Sequence, residues 1–437
     1  MNIYIFISIF IISIRLLIDI WTIFQIKETI LWLSKDKLLD REPDIFFTII
    51  IPLLHEQTLI VPLIDRMQQV VNCNDRIILV TTKAEISHGN VETTAIIVKK
   101  QLQGIANSPI IHFEASANCT CKGDQINEFI LQDSLIMLGN TSHFIGIYDA
   151  DSKPSSQSLK LVSLVAKHGA RIVQQPSSYF LNYHNRSFLM RVRAASSTAF
   201  CFAFELTKFD KWPIATKPPA KWWRLSHLIG HGEFIRTDLL LKYYPLPTPS
   251  CDTSLGHRLS LSGENIWTVP ALDYAEVPKT TTSMIKQNVN WYHGVSLLTS
   301  DIKWLLDKSI GSKYTEYIPM LFGRLILTIQ WAIWPWLTLL SFVMFAWIIP
   351  SDWVWALLFL SYCAITSGPA IYIMLRGRHI VYNTDEIDHL FFEINRMFFF
   401  CWVVELLQSL GPWLFRLRQL VNTLTGVVTE KRYKTER

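Results

Sequence analysis

The sequence predicts an α/β domain with a largely parallel sheet joined to an α-helical transmembrane region. Three observations predict it. Between about residues 42 and 275, short β-rich runs alternate with helical stretches, the order of a parallel sheet covered by helices. Apolar runs flank that region: Ile3 to Phe24 before it, and the uncharged Leu325 to Ser351 and Trp353 to Leu375 after it, each longer than the ~20 residues that cover the hydrocarbon core of a bilayer. With 50% hydrophobic residues, 16 Trp in 437 residues and a mean hydropathy of +0.24, the chain is too apolar for one soluble domain, and with 18% charged residues it is too polar to lie wholly in a membrane.

Residues 1–30 read as a transmembrane anchor. Arg15 and Asp19 fall inside it, spaced i, i+4 on one helical face, so they can pair with each other or face other helices, which lowers the cost of charge in lipid. No small-residue cleavage site follows, so the anchor is expected to be retained. The α/β domain spans 42–275, with strands at Phe46 to Leu54, Arg76 to Thr82, Pro109 to Phe113, His143 to Tyr148 and Arg171 to Gln174. Helices are expected at 57–71, 91–103, 124–138 and 155–168. In such sheets ligands gather beyond the carboxyl ends of the strands. Residues 280–320 read as amphipathic helices at the membrane interface, and 321–376 as a transmembrane hairpin whose tip is Pro350-Ser351-Asp352. Lys27, Lys35, Lys37 and Arg41 follow the anchor, and Arg376 and Arg378 follow the second span. The positive-inside rule then puts the α/β domain in the cytoplasm, at the plasma (inner) membrane. In 390–437, the stretch Phe391 to Phe415 carries Glu393, Arg396 and Glu405 and contains Gly411-Pro412, which is expected to break a helix; a basic cytoplasmic tail closes the chain.

The net charge of +5 is mild and the basic residues are dispersed, which argues against nucleic acid as a partner and for membrane lipids. Seven cysteines show no repeated spacing, and Cys119 and Cys121 have no second pair at a zinc-like distance, so they read as reduced thiols. No G-x-G-x-x-G follows an early strand, which disfavours a dinucleotide-dependent dehydrogenase.

The chemistry concentrates after the strands. Asp149-Ala150-Asp151 follows the fourth, with side chains two apart projecting to one side. Two hard carboxylates can hold Mg²⁺ or Mn²⁺, which neutralises a diphosphate. Ile51-Pro52 ends the first strand with Glu56 just beyond it, and Gln174-Gln175-Pro176 ends a later one. About a hundred residues after Asp149 comes Asp252-Thr253-Ser254-Leu255-Gly256-His257-Arg258-Leu259, and then Gln287-Asn288-Val289-Asn290-Trp291. In this order, with flanking membrane helices, they resemble the family-2 glycosyltransferases of GT-A fold, most closely the cellulose, chitin and hyaluronan synthase-like group, over nearly the whole chain.

The resemblance implies a Rossmann-like nucleotide-sugar-binding domain and an inverting, metal-dependent transfer of a sugar, with a UDP-sugar the expected donor, to a growing polysaccharide; transfer of one sugar to a lipid or lipid-linked acceptor is the close alternative. It implies donor contacts from Pro52, Glu56, Lys122, Asp149 and Asp151, with Asp151 on the metal and Asp252 as catalytic base. Lys122 to Asn127 is similar to the family's K-x-x-x-x-N segment. Gly230 to Arg236 is similar to its glycine-led acceptor segment, which assigns Gly230, His231 and Arg236 to the acceptor side. Gln287, Asn290 and Trp291 take the places of the Q-x-x-R-W element that meets pyrophosphate and acceptor sugar. Val428 to Lys431 is similar to a gating loop of cellulose synthase-like enzymes. Cys251 stands where the family has the first acid of an E-D pair, Asn290 where it has arginine, and Glu85 near the acidic position after the second strand. Without the arginine's permanent charge, contacts to the diphosphate should differ from those of cellulose synthesis. A distant rival is a non-catalytic membrane subunit or transporter that keeps a nucleotide-binding domain. Export or regulatory subunits are not identified by the sequence.

Overall fold

The computed structural model describes residues 2–35, 42, 44–72, 74–88, 92–103, 108–213, 225–248, 250–308, 314–348, 352–381 and 390–425. In chain order it holds α1 (Asn2–Leu33), β1 (Phe46–Pro52), α2 (Ile60–Gln68), β2 (Arg76–Thr82), α3 (Thr94–Leu102), β3 (Ile110–Ala115), α4 (Lys122–Gln132), α5 (Ser134–Met137), β4 (His143–Ile147), β5 (Lys153–Pro154), α6 (Ser158–Lys167), β6 (Ile172–Gln174), β7 (Ser177–Ser178), α7 (Phe188–Phe200) and β8 (Asp210–Lys211). Then come β9 (Glu233–Arg236), α8 (Thr237–Lys242), α9 (Cys251–Leu261), β10 (Trp267–Thr268), β11 (Asp273–Tyr274), α10 (Thr281–Ser296), α11 (Leu298–Asp307), α12 (Tyr314–Ile348), α13 (Asp352–Tyr372), α14 (Arg378–Val381) and α15 (Leu390–Thr425).

The main sheet has the order β3-β2-β1-β4-β9-β6-β10-β8. The pairs among β3, β2, β1 and β4 are parallel, as are β6 with β10 and β10 with β8. Strand β9 alone runs the other way, wedged between β4 and β6. The central strands β1, β2 and β4 are buried on both faces, which explains their nearly continuous apolar runs. Along β1, Phe47, Ile49 and Ile51 enter one core with α2 and α6, while Ile50 enters the other with α4, α7 and α9. All five strands expected from the sequence form, as do helices inside all four expected intervals. Strand β9 is not visible in the periodicity because it is short and its pairing partners lie far away in sequence.

Among the described residues, three helices are long and apolar enough to cross a membrane: Phe6–Leu33, Ile318–Met344 and Met397–Thr425. The first runs past Phe24, because its last turns dock on the α/β domain: Thr29 donates to the Phe202 carbonyl (3.0 Å) and the Trp32 indole to the Trp212 carbonyl (2.9 Å). The i, i+4 pair forms as the spacing suggests, Arg15 Nε lying 2.6 Å from Asp19. Glu405 on α15 adds two bonds to the same guanidinium at 2.6 and 3.0 Å. Helix α15 is continuous through Gly411-Pro412, contrary to the break expected there. Gly411 sits where a Cβ would lie 2.6 Å from Asn288 Cβ, so close packing on α10 holds the helix together across the proline. Helices α12 and α13 occupy the expected hairpin segments, and both pack against α1 and α15. Helix α11, within the stretch expected at the membrane interface, packs Leu298, Asp301, Ile302 and Leu305 inward, against α9. The residues 426–437, including the gating-loop-like Val428 to Lys431 and the tail, lie outside the described residues.

Helix α9 is seated by two features. Asp301, almost fully buried on α11, takes Arg258 Nε at 2.9 Å and the Ser254 hydroxyl, with His257 at 3.4 Å, so one carboxylate anchors three residues of the helix. On the opposite side Gly256 meets backbone, where a Cβ would lie 2.3 Å from Leu228 N and 2.6 Å from His227 Cα. Gly256→Ala is therefore expected to destabilise the protein by about 1–3 kcal/mol, the range for forced overpacking, read as a lowered melting temperature in detergent. An unchanged melting temperature would contradict this seating of α9.

Candidate functional site

Parallel strand β4 delivers Asp149 and Asp151 at its carboxyl end, and the reversed strand β9 brings Glu233 to the same edge, paired across from Ile147 on one side and Gln174 on the other. Lys122, the first residue of α4, reaches in and bonds Asp149 Oδ1 at 2.7 Å. It also donates to the carbonyl of Gly230. Gly230 is held at φ +100°, a conformation that favours glycine, and a Cβ there would lie 2.3 Å from Asp252 Oδ2. One glycine therefore joins the Lys122–Asp149 pair to Asp252. Asp252 lies in the first turn of α9, whose N-cap is Ser250, so it is not the cap; its Oδ1 accepts from Thr253 N at 2.7 Å.

Several residues hold this turn. Gln174, fully buried, accepts from Ile229 N (2.9 Å) and donates to the His231 carbonyl (2.8 Å). Gln175 donates to Ser158 at 2.6 Å and receives the Tyr148 hydroxyl. Asn127 exchanges two bonds with Leu246, at 3.0 and 2.8 Å, pinning the segment that leads into α9. Gly123 lets α4 approach the same segment, since a Cβ would lie 2.8 Å from Thr248 and 3.3 Å from Cys251 Cβ. Cys251 is buried in that contact, where a charged side chain would lose its water.

His231 lies behind the two aspartates, bonded through Nδ1 to Asp273 at 2.6 Å, and Ser152 bonds the same carboxylate at 2.9 Å. Burial works against its charged form, yet Asp273, followed by Asp149 and Asp151, raises the imidazole's pKa above its ordinary value. Asp151 is buried and accepts from Glu276 N at 3.0 Å. Glu85, near the acidic position after the second strand, is a clamp: it takes His55 N at 2.7 Å and Thr94 N at 2.8 Å. Pro52 ends β1, and the Glu56 backbone bonds Thr94 at 3.2 Å beside that clamp. Arg236 does not join the site. It pairs with Phe144 at the far end of β9 and is bonded to Asp238 at 2.6 Å, because the strand runs away from the carboxyl edge.

Glu233 is a site residue that the motif reading passes over. Burial, ahead of the opposing Lys122 and the repulsion of Asp252 and Asp149, pushes its carboxyl up to about 8. Burial also disfavours the Lys122 ammonium, but Asp149, Cys251, Glu233 and Asp252 together raise its pKa well above the usual value. Three aspartates, Asp149, Asp151 and Asp252, thus meet two cations at this edge, Lys122 and Arg66, the latter donating to the Ala150 carbonyl at 2.9 Å. Among the described residues no three His, Cys, Asp or Glu side chains gather closely enough to hold a metal unaided. Asp149 and Asp151 are hard oxygen donors in an over-acidic setting, and so fit a divalent cation whose other ligands come from a diphosphate and water.

Beyond Asp252 the site continues into a cavity of about 290 Å³ that reaches between α1, α7, α12, α13 and α15. Trp291 lines it from α10 with one ring face beneath the Arg193 guanidinium, 5.1 Å away. Gln287 is buried one turn earlier and Asn290 is half-buried beside it. Gly294 brings α10 against α9, since a Cβ would lie 2.5 Å from Ser250 Oγ.

The sequence matches no protein-family model and no curated protein. Among solved structures, the chain is similar to the mannosyltransferase PcManGT from Pyrobaculum calidifontis, determined in complex with GDP-Man and Mn²⁺, with a TM-score of 0.54 and 13% identity over 94% of this chain and 99% of that one. S. aureus TarS also matches, with a TM-score of 0.33 and 12% identity over 78% of this chain and 54% of its own. The first likeness shows a shared fold across both the α/β and the helical regions.

The Glu233 environment has a pH consequence. In the folded protein the carboxyl keeps its proton up to about pH 8, whereas in the unfolded chain it releases it near 4.5. Between these values the folded state binds more protons, so Glu233's contribution to stability is full below about pH 4.5 and is lost as the pH rises to about 8. Glu233→Gln should flatten that decline in melting temperatures measured from pH 5 to pH 9. Parallel profiles for the two proteins would contradict the assignment.

Proposed function

We propose that the protein is an inverting membrane glycosyltransferase of the GT-A type, related to family 2, that moves a hexosyl group from a nucleotide sugar to an acceptor presented by its membrane region. One observation carries the reading: Asp149 with Lys122, and Asp252, meet on opposite sides of Gly230 at the carboxyl edge of the parallel strands. The fold shared with a mannosyltransferase that binds GDP-Man and Mn²⁺ supports the donor class.

In this reading Lys122 and Asp149 bind and orient the donor at the edge where nucleotides collect in such sheets, while Pro52 and Glu56 border the nucleoside side. Asp149 and Asp151 would hold a Mg²⁺ or Mn²⁺, which would supply charge neutralisation for the departing diphosphate. Asp252, facing the cavity, takes the proton of an acceptor hydroxyl as that oxygen bonds to the anomeric carbon. The bond between that carbon and the diphosphate oxygen breaks, its electron pair leaves with the nucleoside diphosphate, and configuration inverts. Lys122 offers a positive charge to the leaving group, a task that the resembled family gives in part to the arginine replaced by Asn290. Trp291 shapes the acceptor entrance. The catalytic domain is assigned to the cytoplasmic face, because the basic residues flanking the spans lie on its side.

The test uses protein in lipid with Mn²⁺ and a panel of UDP- and GDP-sugars, reading donor binding by calorimetry and released nucleoside diphosphate. Asp151→Asn retains an oxygen for Glu276 N but removes a charged metal donor, and should weaken Mn²⁺-dependent donor binding by roughly 10- to 100-fold, as for other disturbances of a metal site's ligand surroundings. Unchanged donor affinity would remove the two aspartates from the site. Absence of binding by every donor would favour the non-catalytic alternative.

A further inference from the structure

The proposed transferase leaves its acceptor open between a growing glycan and a lipid, and the cavity behind Asp252 bears on the choice. Two guanidinium groups line it with hydrogen-bond donors left unmet. Arg193 is only 5% exposed, and its Nη2 is buried with no hydrogen-bond partner; Arg324, on α12, has its Nε in the same condition. Burial lowers the Arg193 pKa to about 10, with Tyr179 and Glu205 acting in the opposite sense, so the group remains a cation at neutral pH. Lys208 lines the cavity too.

The acids on the same walls do not answer these donors. Asp19 and Glu405 are both engaged with Arg15. Glu205 acts on both guanidinium groups through its charge but makes no hydrogen bond to Arg193 Nη2 or Arg324 Nε, and Asp252 Oδ1 accepts from Thr253 N. Unmet donors on buried guanidinium groups are costly, and the group that satisfies them best is a multivalent oxyanion. A neutral glycan passage has no need of them, since sugar hydroxyls are met by neutral hydrogen-bonding groups and aromatic faces.

The remainder of the wall mixes apolar residues of the long helices, including Ile18 of α1, Leu327 of α12 and Ala370 of α13, with neutral polar ones such as Gln330, Thr366 and Gln408. Phe200, at the end of α7, lines the cavity with half of its surface exposed. A chain from the bilayer can therefore lie against apolar wall while its headgroup meets the arginines.

We propose that the cavity binds a lipid-linked acceptor through its phosphate: Arg193 and Arg324 hold the phosphate oxygens, the hydrocarbon tail lies between the membrane helices, and the acceptor hydroxyl is directed to Asp252. This rests on the transferase reading and names its acceptor class.

The experiment measures binding to the full chain in nanodiscs of neutral lipid, using a long-chain alkyl monophosphate as probe. Inorganic phosphate, the alcohol of the same chain length and a neutral oligosaccharide serve as comparisons. Saturable binding of the alkyl phosphate, at least ~10-fold tighter than the alcohol or free phosphate, is expected, because two charge-assisted contacts act together with the tail. Arg193→Gln and Arg324→Gln should each weaken it by ~10-fold or more, with Arg193→Lys retaining part of the affinity. Mn²⁺-dependent donor binding, measured on the same samples, reports whether each variant is folded and whether the transferase reading stands independently. Alkyl phosphate binding that is absent, or indifferent to both arginines in samples that bind donor, overturns the proposal. So does preferential binding of the neutral oligosaccharide, which would assign the cavity to a glycan.

Discussion

The arrangement depends on the backbone of Gly230. Its carbonyl receives the Lys122 ammonium, and the space where a side chain would be is taken by the Asp252 carboxylate, 2.3 Å from the position of a Cβ. A positive φ makes that approach possible, and any L-residue would both strain the turn and push Asp252 away. The surrounding bonds serve this geometry: Gln174 grips the turn from both sides, Asn127 fixes the approach to α9, and Asp301 anchors α9 from beneath. Fixed polar groups of this kind cost little reorganisation when charge moves during a reaction.

The membrane region is built into the same frame. Helix α1 hands over to the α/β domain through Thr29 and Trp32, while Ser178 and Tyr274 of the small sheet β5-β11-β7 bond the backbone of α14 at 3.0 and 2.8 Å. Asp273, on β11 of that sheet, is the partner of His231 behind the aspartates. The small sheet thus touches the edge that carries Asp149 and Asp151 on one side and the helices on the other. The cluster Arg15, Asp19 and Glu405 ties α1 to α15, two of the helices long and apolar enough to cross a membrane, where a buried unpaired charge would be strongly unfavourable.

Much of the fold was legible in the sequence because parallel strands buried on both faces are written as apolar runs separated by turn residues. Strand β2 shows this most clearly, its bounds Arg76 and Thr82 being those read from the pattern. The Arg15 and Asp19 pairing was legible from helical spacing alone, whereas Glu405 was not, since nothing local links residues 390 positions apart. Reading Gly230 to Arg236 as one acceptor segment failed for a topological reason. Its last four residues form an antiparallel strand, which leaves Glu233 at the site and carries Arg236 to the opposite edge. The continuity of α15 through Pro412 was hidden for a similar reason, because propensity speaks against it and only packing on Asn288 favours it. Asp301 gave no motif signal either; its importance comes from three contacts to a helix more than forty residues earlier.

The most direct measurement compares donor affinity and transfer rate in Asp252→Asn. Asparagine keeps the oxygen that accepts from Thr253 N, and Asp252 lies inside the first turn rather than at the N-cap position, which Ser250 occupies, so folding should be preserved. If Asp252 is the base that faces the donor site across Gly230, nucleotide-sugar binding with Mn²⁺ stays near that of the wild type while transfer falls at least ~10²-fold, the lower range for loss of general-base catalysis. Transfer at a near wild-type rate by the folded variant would contradict it.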